Sequence, residues 1–451
     1  MKSVALHNLG CKVNAYELDV MQQLLQEKGY QVVPFDSIAD IYIVNTCTVT
    51  NIADRKSRQM LHRAKKINPD SIVVAVGCYV QTGQETVEKD DCIDLAVGNN
   101  RKKDLVSILE KFIEERRKGN QDKTLGNQTV PDLHKPVPYE EMTLKKTGGH
   151  TRAYIKIQDG CDQFCSYCII PMARGRVRSK EARDIVEEAR GLAEAGYKEI
   201  VLTGIHISSY GMDFVLTEHR KRMPDGKELL GLLGELNKIE GLERIRLGSL
   251  EPRIVTEQFA EGLKELEKVC PHFHLSLQSG CDRTLKRMNR HYSVSEYYEK
   301  VGILRALYDN PAITTDVIVG FPGETETEFE ETRAFLEKVE FYEMHIFKYS
   351  KRQGTNAAMM PDQIAENVKA KRSDLLLALE KQQSCSYRQS FLGKEMEVLL
   401  EEEVVIDGKI YMTGHTKEYI RAALPGNAGV PNELIYGHFN GFLRENIVLL
   451  Q

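Results

Sequence analysis

Short apolar segments alternate with amphipathic segments along most of this 451-residue chain, and this alternation limits the possible fold more than any other feature. Near the start of the chain, strands are predicted at residues 3–9, 41–45 and 72–76, and helices at residues 14–28 and 54–67. Apolar strands separated by helices are typical of a parallel sheet with helices on both faces. Residues 1–118 are therefore predicted to form a doubly wound α/β domain.

The same alternation resumes at residue 151 and continues for longer. The predicted strands are residues 154–158, 199–202, 244–248, 272–277, 315–319 and 344–349. Six β/α units are fewer than the eight of a complete barrel, so an incomplete, TIM-like (β/α)6 barrel is predicted over residues 151–390. Residues 119–150 contain several glycines and prolines and few apolar residues, which is typical of a linker.

The last segment, residues 391–451, consists of short apolar stretches and turn pairs such as Asp407-Gly408 and Pro425-Gly426. This pattern predicts a small all-β barrel. The segment holds five Lys and Arg against nine Asp and Glu, and the whole chain has a net charge of -5. Any RNA partner would therefore have to be bound by local basic patches, because the average charge of the protein does not attract it.

Hydropathy argues against a membrane protein, because no apolar run approaches the roughly 20 residues that span a bilayer. We expect a cytoplasmic protein with no membrane partner. Ten cysteines are too sparse for a disulfide scaffold and too many for incidental packing, so metal binding is the first hypothesis. Six of them fall into two groups of three, and the other four show no ligand spacing.

Cys161, Cys165 and Cys168, the central cysteines, lie in a short loop directly after a predicted strand. Three thiolates on one loop leave one position of a metal centre open. A structural zinc site, the alternative, would need a fourth Cys or His nearby, and none follows. A 4Fe-4S cluster with three cysteine ligands instead leaves one iron free for a substrate or cofactor.

Cys11, Cys47 and Cys78, the N-terminal cysteines, each follow a different predicted strand of the first sheet. Because the carboxyl ends of parallel strands meet at one edge of a sheet, the three thiols are expected to converge. We interpret them as ligands of a second 4Fe-4S cluster. Ordinary burial without a ligand is the alternative.

The CxxxCxxC spacing of the central cysteines resembles the radical S-adenosylmethionine (SAM) superfamily. The resemblance implies that the open iron binds SAM, whose reductive cleavage gives a 5′-deoxyadenosyl radical. It also suggests residues at strand ends that bind SAM: Thr203, Gly204, Glu251 and Gln278. For Glu251 a solvated strand end is the alternative.

Two three-cysteine sites, a β/α sheet ahead of the central domain and a β unit behind it together resemble the methylthiotransferase family. In that family the second cluster carries the sulfur that converts a C–H bond into C–SCH3, and the terminal β unit is a TRAM module. Segments 9–14 and 45–50 resemble the branch that acts on C2 of N6-threonylcarbamoyladenosine in tRNA. The sibling branches modify isopentenyladenosine in tRNA or a ribosomal-protein aspartate. A non-catalytic iron–sulfur electron carrier is a further alternative.

The resemblance implies two partners, a tRNA anticodon loop and an electron donor such as a flavodoxin-type reductant. A threonylcarbamoyl group carries a carboxylate, so its pocket should contain a cation. Arg174 and Arg176, which follow the central cysteines, are the predicted substrate-binding residues. Basic residues on the helix predicted at 54–67, including Arg55 and Lys56, are candidate RNA contacts, with a solvated helix face as the alternative.

Overall fold

The structure of the chain is a computed structural model that describes residues 2–119, 129–147, 151–214, 225–426 and 428–451. Parts of the predicted linker, residues 120–128 and 148–150, lie outside the described residues. Within the described ranges, no helix is both long enough and apolar enough to cross a membrane.

The N-terminal region is a five-stranded sheet with the order β2-β1-β3-β4-β5, in which every neighbouring pair is parallel. Its elements are β1 (Ser3–Asn8), α1 (Lys12–Glu27), β2 (Gln31–Val33), β3 (Ile41–Thr46), α2 (Asn51–Ile67), β4 (Ile72–Gly77), α3 (Cys78–Thr82), α4 (Gln84–Glu88), β5 (Leu95–Val97) and α5 (Leu105–Arg117). The predicted parallel sheet is confirmed. The edge strands β2 and β5 are only three residues long, which is why the sequence pattern did not indicate them.

The order of these strands reverses between β1 and β3, which is the switch point of a doubly wound sheet. All six residues of the central strand β3 are buried, as expected for a strand covered on both faces. The chain turns at Gly10, whose φ of +105° favours glycine, and α1 begins two residues later. The loops after β1 and β3 therefore flank the crevice in which such sheets bind ligands.

The connection between the first sheet and the central region is irregular in its described part, residues 129–147, but it is well packed. Met142 and Leu144 are buried in the same apolar core as Tyr16 of α1. The carbonyl oxygen of Met142 accepts hydrogen bonds from the Tyr16 hydroxyl at 2.6 Å and from Lys180 Nζ at 2.8 Å. This connection thus fastens the two regions to each other.

The central region contains six longer parallel strands in the order β6-β9-β10-β11-β12-β13, with β10 and β11 joined by two isolated bridges. Its elements are β6 (Ala153–Lys156), β7 (Gln158–Asp159), α6 (Ile170–Arg174), β8 (Arg178–Ser179), α7 (Ala182–Glu194), β9 (Glu199–Thr203), α8 (Lys227–Asn237), β10 (Arg244–Leu247), α9 (Glu257–Lys264), β11 (His272–His274), α10 (Asp282–Arg287), α11 (Val294–Leu307), β12 (Ala312–Val319), α12 (Glu326–Val339), β13 (Glu343–Lys348), α13 (Asn356–Met359) and α14 (Glu366–Gln389). Six predicted strands and the long final helix are present. The antiparallel pair β7 and β8 was not predicted, and it holds both ends of the loop that carries the central cysteines.

The C-terminal region is a closed barrel with the strand order β14-β15-β16-β18-β17. Its strands are β14 (Glu395–Ile406), β15 (Lys409–Thr416), β16 (Arg421–Pro425), β17 (Leu434–Arg444) and β18 (Ile447–Leu450). The barrel contacts the starts of the central strands through Arg244, which donates to the carbonyl oxygens of Glu397 and His415. It is therefore attached to the end of the central sheet opposite the strand carboxyl ends.

Candidate active site

The central cysteines occupy a loop that is fixed at several points. Cys161 N donates to the Gly175 carbonyl oxygen at 3.1 Å, and Cys168 N donates to that of Cys165 at 3.0 Å. Gly160, with a φ of +71°, approaches the backbone of Arg176 so closely that a Cβ would lie 1.9 Å from its carbonyl oxygen. Only glycine fits there, so the start of the loop is determined by a backbone contact.

A cavity of about 320 Å³ opens next to this loop at the carboxyl ends of the central strands, and we call it the main cavity. All three central cysteines line it, together with apolar and polar residues from six loops. Burial raises the pKa of the Cys161 thiol to about 12, so the free thiol is neutral at pH 7. A cationic centre that binds three such thiolates would offset the cost of their burial, and the donor set fits a cluster with one open iron.

Of the residues predicted to bind SAM, Glu251 and Gln278 line the main cavity, whereas Thr203 and Gly204 do not. Thr203 is buried at the end of β9, and its carbonyl oxygen accepts from Ile157 N. Glu251 is 2% exposed, so the alternative of a solvated strand end is wrong for this residue. A position at a strand end therefore indicated a place in the cavity wall for Glu251 and Gln278 but not for Thr203 and Gly204.

The charged residues around Glu251 have partners within the protein. Arg253 Nε donates to Glu251 Oε1 at 2.6 Å. The half-buried Arg290, which also lines the cavity, donates through Nη1 to Cys165 Sγ at 3.3 Å and through Nε to the Tyr292 hydroxyl at 3.1 Å. Burial, followed by the charges of these two arginines, lowers the pKa of His206 to about 3, so this cavity residue is neutral at pH 7.

The N-terminal cysteines converge as the strand positions predicted. A Cβ on Gly10 would lie 3.0 Å from Cys47 Sγ, so the loop before Cys11 passes directly over Cys47. Asn14 Nδ2 fastens the two loops by donating to the carbonyl oxygens of Leu9 at 2.7 Å and Thr46 at 3.0 Å.

Burial, together with the neighbouring thiols Cys78 and Cys11, raises the pKa of Cys47 to about 11. Thiolates that repel one another in this way are stabilised by a bound cation, and this donor set fits a second cluster.

Helix α6 connects the two thiol groups, because it follows the central cysteines and packs against α3, which begins at Cys78. Asn99 Nδ2 donates to Cys78 Sγ at 3.4 Å and to the carbonyl oxygen of Ala173 at 2.7 Å. The last residue of α6, Arg174, extends into the same region. The short segment from Cys168 to Arg174 thus extends from the central cysteines to the N-terminal cysteines.

The expectation that Arg174 is open to a substrate carboxylate is wrong. Its side chain is fully buried, and Nη1 donates to Glu17 at 2.9 Å and to Asp159 at 3.1 Å. Nη2 donates to Asn14 Oδ1 at 2.6 Å. With two carboxylates already bound, this guanidinium holds the loops of both cysteine groups together and has no free donor fork for a ligand.

Arg176 lies on the opposite side of the loop from the main cavity. Its side chain is 50% exposed, with the guanidinium 4.6 Å from the centre of the Phe164 ring and Nη1 3.5 Å from Asp162. It lines a separate cavity of about 240 Å³, to which Cys165 and Cys168 also contribute. A role for Arg176 in substrate binding stays a prediction.

One loop, residues 47–52, belongs to both sites, and we call it the shared loop. It begins at Cys47, and Val49 and Thr50 line the main cavity. Arg352 from the segment after β13 holds this loop, with Nη2 donating to Thr48 Oγ1 at 2.8 Å and Nη1 to Asn51 Oδ1 at 2.6 Å. The thiol site of the first sheet is thereby fixed against the mouth of the central cavity.

The known proteins that this chain resembles agree with these two sites. The Radical SAM superfamily matches residues 155–336, and the Uncharacterized protein family UPF0004 matches residues 3–98. The threonylcarbamoyladenosine tRNA methylthiotransferase MtaB of Bacillus subtilis (strain 168) is 39% identical over 437 residues, which are 96% of this chain and 93% of that protein. The chain belongs to the radical SAM methylthiotransferase family. It is an enzyme of that family, so the alternative of a non-catalytic electron carrier is wrong.

Family membership also means that SAM and 4Fe-4S clusters are its cofactors. A tRNA-2-methylthio-N(6)-dimethylallyladenosine synthase of Moorella thermoacetica (strain ATCC 39073 / JCM 9320) is 32% identical over 96% of this chain and 95% of its own length. Among solved structures, the radical SAM methyltransferase TsrM from Kitasatospora setae has a TM-score of 0.53 at 17% identity, with 77% of this chain and 73% of that chain covered. This likeness shows a shared radical SAM fold.

Several residues of the site were not predicted from the sequence. Arg290 comes from a turn after α10 and carries no recognisable spacing, so nothing in the sequence marks it. Lys348 and Arg352 lie at and just after the end of β13. Their position at the carboxyl end of a parallel strand is the signal that could have indicated them, because the other strand ends supply most of the cavity wall.

Proposed function

We propose that this methylthiotransferase converts N6-threonylcarbamoyladenosine, next to the anticodon of a tRNA, into its 2-methylthio derivative. The relative from Bacillus subtilis, which carries this activity in its name, supports the proposal over nearly the full length of both chains. The observation that carries it is the shared loop, in which Cys47 of one thiol group is three residues from Thr50 in the wall of the main cavity.

The residues would divide the work between two cofactor sites. Cys161, Cys165 and Cys168 would hold the cluster that binds SAM, with Glu251 and Gln278 in contact with SAM. Thr203 and Gly204 would act from behind the wall, since Ile205 and His206, which follow them, line the cavity.

Cys11, Cys47 and Cys78 would hold the auxiliary cluster that delivers sulfur. Arg174 would keep these two groups of loops at a fixed separation.

The reaction requires a radical, because the C2–H bond of adenine is not activated toward a base or a nucleophile. When bound, the cluster and SAM supply a carbon radical that breaks such a bond. The chain itself orients the base, excludes water from the cavity and keeps His206 neutral beside it. An anticodon loop suits this arrangement because its bases can be turned out of the stack into a pocket.

The predicted domains are consistent with this function. We infer an N-terminal methylthiotransferase domain over residues 1–118, a linker over 119–150, an incomplete (β/α)6 radical SAM barrel over 151–390 and a TRAM-like β domain over 391–451. The substrate would be bound as an anticodon loop, a flavodoxin-type protein would supply electrons, and the enzyme would act in the cytoplasm.

Cysteine replacement separates the roles of the two thiol groups. After anaerobic reconstitution, the wild type should hold about eight iron atoms, from two four-iron clusters. The C161A/C165A/C168A variant should retain about half of this iron and form no 5′-deoxyadenosine. The C11A/C47A/C78A variant should still cleave SAM but form no methylthio product. Full iron in the first variant, or normal product from the second, contradicts the assignment.

Mass spectrometry of tRNA nucleosides tests the substrate. Cells that lack the protein should accumulate N6-threonylcarbamoyladenosine and lose its 2-methylthio derivative, and the purified enzyme should restore it. If instead the purified enzyme modifies tRNA that bears isopentenyladenosine, its substrate is that of the dimethylallyladenosine relatives, and the proposed substrate is wrong. Equal activity on tRNA with and without the threonylcarbamoyl group would also rule out the proposed substrate.

A further inference from the structure

Among the described residues that line the main cavity, two are a lysine or an arginine, Arg290 and Lys348. Arg290 is half-buried, and its guanidinium is hydrogen-bonded to Cys165 Sγ and the Tyr292 hydroxyl. Lys348 is exposed, and in the described part of the chain its ammonium group makes no hydrogen bond and no ion pair. It is therefore the cation of this cavity that is available to a ligand.

The acids around Lys348 do not neutralise it. The charge of Lys348 contributes to the lowered pKa of Glu366, but that carboxylate is held by Lys369 Nζ at 2.7 Å. Within the cavity, Glu251 is paired with Arg253 at 2.6 Å, and Asp316 Oδ2 lies 3.3 Å from His274 Nε2 rather than at Lys348. A carboxylate that entered near Lys348 would thus meet an ammonium group without a competing ion pair.

The walls beside Lys348 suit a planar ring with a charged substituent. Phe347 is 46% exposed and Val49 is 50% exposed, and both line the main cavity together with Ile318. Large apolar side chains that remain exposed at a cavity mouth are typical of a binding surface. Phe347 on β13 and Val49 on the shared loop come from neighbouring parts of the mouth, because Asn51 N donates to Ser350 Oγ at 3.1 Å. A base that packs against this apolar surface would place its N6 substituent at the rim.

We propose that Lys348 binds the carboxylate of the threonylcarbamoyl group and so selects the modified adenosine, an inference that rests on the proposed function. Lys348 takes the role that sequence analysis gave to Arg174. A carboxylate left without a partner in this apolar mouth would lose its hydration, whereas a charge-assisted hydrogen bond from an ammonium group replaces it. An adenosine with an uncharged N6 substituent would gain nothing from the lysine and would leave it desolvated.

The test compares two synthetic anticodon stem-loops with the reconstituted full-length enzyme. One bears N6-threonylcarbamoyladenosine, and the other bears the same group with its carboxyl converted to a methyl amide. The wild type should prefer the acid in kcat/KM by on the order of 10- to 100-fold, the effect of one charged hydrogen bond. K348M should lower this preference to about threefold or less, and K348R should retain most of it.

Lys351, which is also exposed but does not line the cavity, provides the matched control. K351M should keep the wild-type preference, and all variants should match the wild type in iron content and thermal unfolding temperature. A K348M enzyme that still prefers the acid as strongly as the wild type overturns the role of Lys348 and leaves the proposed function intact. A wild-type enzyme that methylthiolates neither stem-loop overturns both.

Discussion

Arg290 shows how a single side chain would affect a proposed ligand of the SAM-binding cluster. Its half-buried guanidinium donates to Cys165 Sγ at 3.3 Å, and it is held in place by a second hydrogen bond to the Tyr292 hydroxyl. Hydrogen bonds to the sulfur ligands stabilise the more negative, reduced state of an iron–sulfur cluster and raise its reduction potential. Arg290 thus belongs to the environment that sets the potential for SAM cleavage.

Replacement of Arg290 by Met should shift the midpoint potential of the SAM-binding cluster to more negative values. The expected size is on the order of 60 mV, which corresponds to a tenfold change in a one-electron equilibrium. An EPR-monitored redox titration measures it. R283M, which removes an exposed arginine on α10, is the control and should leave the potential unchanged. An unaltered potential in R290M would show that this hydrogen bond does not tune the cluster.

At the residue scale, the positions of the thiols could be predicted from the sequence, but the residues that surround them could not. The central cysteines were recognisable because their spacing is local, and the N-terminal cysteines because each follows a strand. Arg174 was misjudged, since its burial depends on Glu17 and Asp159, which come from two other segments of the chain. Contacts between distant segments leave no mark on local spacing, so the role of a charged residue next to a motif cannot be read from the motif.

At the scale of elements, the shared loop is held by an ion pair between regions that are about 300 residues apart. Arg352 Nη2 lies 2.7 Å from Asp54 Oδ2, in addition to its hydrogen bonds to Thr48 and Asn51. The arginine side chain is 9% exposed, so little water competes for the pair. Its function would be to position the loop, because it touches neither thiol group.

R352Q should uncouple SAM cleavage from sulfur transfer. A misplaced shared loop leaves radical formation possible but moves the auxiliary site relative to the base, and small displacements of this kind cost on the order of 10- to 100-fold in rate. The ratio of methylthio product to 5′-deoxyadenosine should fall accordingly, with partial recovery in R352K. R333Q, at a surface ion pair on α12, should keep the wild-type ratio. A constant ratio in R352Q would show that the contact does not position the loop.

Helix α2 begins within the shared loop and presents Arg55 and Lys56 to solvent next to the cavity mouth. If they contact tRNA phosphates, R55A/K56A should weaken tRNA binding and reduce the dependence of log K on log salt by roughly 1.4 to 1.8, the effect of two phosphate contacts. Fluorescence anisotropy at several salt concentrations measures this slope. K227A/K238A, at the two ends of helix α8, is the control. An identical slope in both double variants would exclude α2 from the interface.

The elements themselves were largely predictable, because each parallel strand is an apolar run bounded by turns. The first residues of the helices were less predictable. Helix α1 starts at Lys12 and α2 at Asn51, two and three residues before the predicted starts. Polar residues of these first turns contact loops rather than an apolar core: Asn14 donates to Leu9 O, and Asn51 accepts from Arg352. The β7 and β8 pair is two residues long on each side and carries no periodicity to detect.

For the whole molecule, the attachment of the C-terminal barrel depends on buried charges. Glu199 lies at the start of β9, with Arg246 Nε at 2.8 Å and Arg244 Nη1 at 3.5 Å. Arg246 also donates to the carbonyl oxygen of Lys417 in the barrel at 2.9 Å, and its guanidinium lies 4.9 Å from the centre of the Tyr419 ring. This interface could not be foreseen from the acidic composition of the barrel.

The arginines around Glu199 outweigh its burial and lower its pKa from 4.5 to about 2. The unfolded chain therefore binds a proton that the folded chain does not between these two values, and the stabilisation is complete above pH 4.5 and is lost as the pH falls toward 2. E199Q should lower the free energy of unfolding at pH 7 by about 3 kcal/mol, because the buried Arg244 and Arg246 would lose the carboxylate that they share.

This difference between E199Q and the wild type should narrow as the pH falls below 4.5. Urea unfolding followed by circular dichroism measures it, since the chain contains no Trp for fluorescence. E299Q, which affects a carboxylate with a side chain 64% exposed, is the control and should change the free energy little. A constant difference across the acidic range would show that Glu199 is not the group that titrates.

The shared loop also limits the distance between Cys47 and the wall of the main cavity. Three peptide units separate Cys47 from Thr50, and a chain of this length spans at most about 11 Å even when fully extended. Any atom that Cys47 would bind as a cluster ligand is therefore covalently connected, over this short distance, to the wall of the main cavity. As a ligand of the proposed auxiliary cluster, Cys47 would place the sulfur near the wall of the main cavity without a movement of whole domains. The insertion of one residue between Cys47 and Thr50 would change this distance.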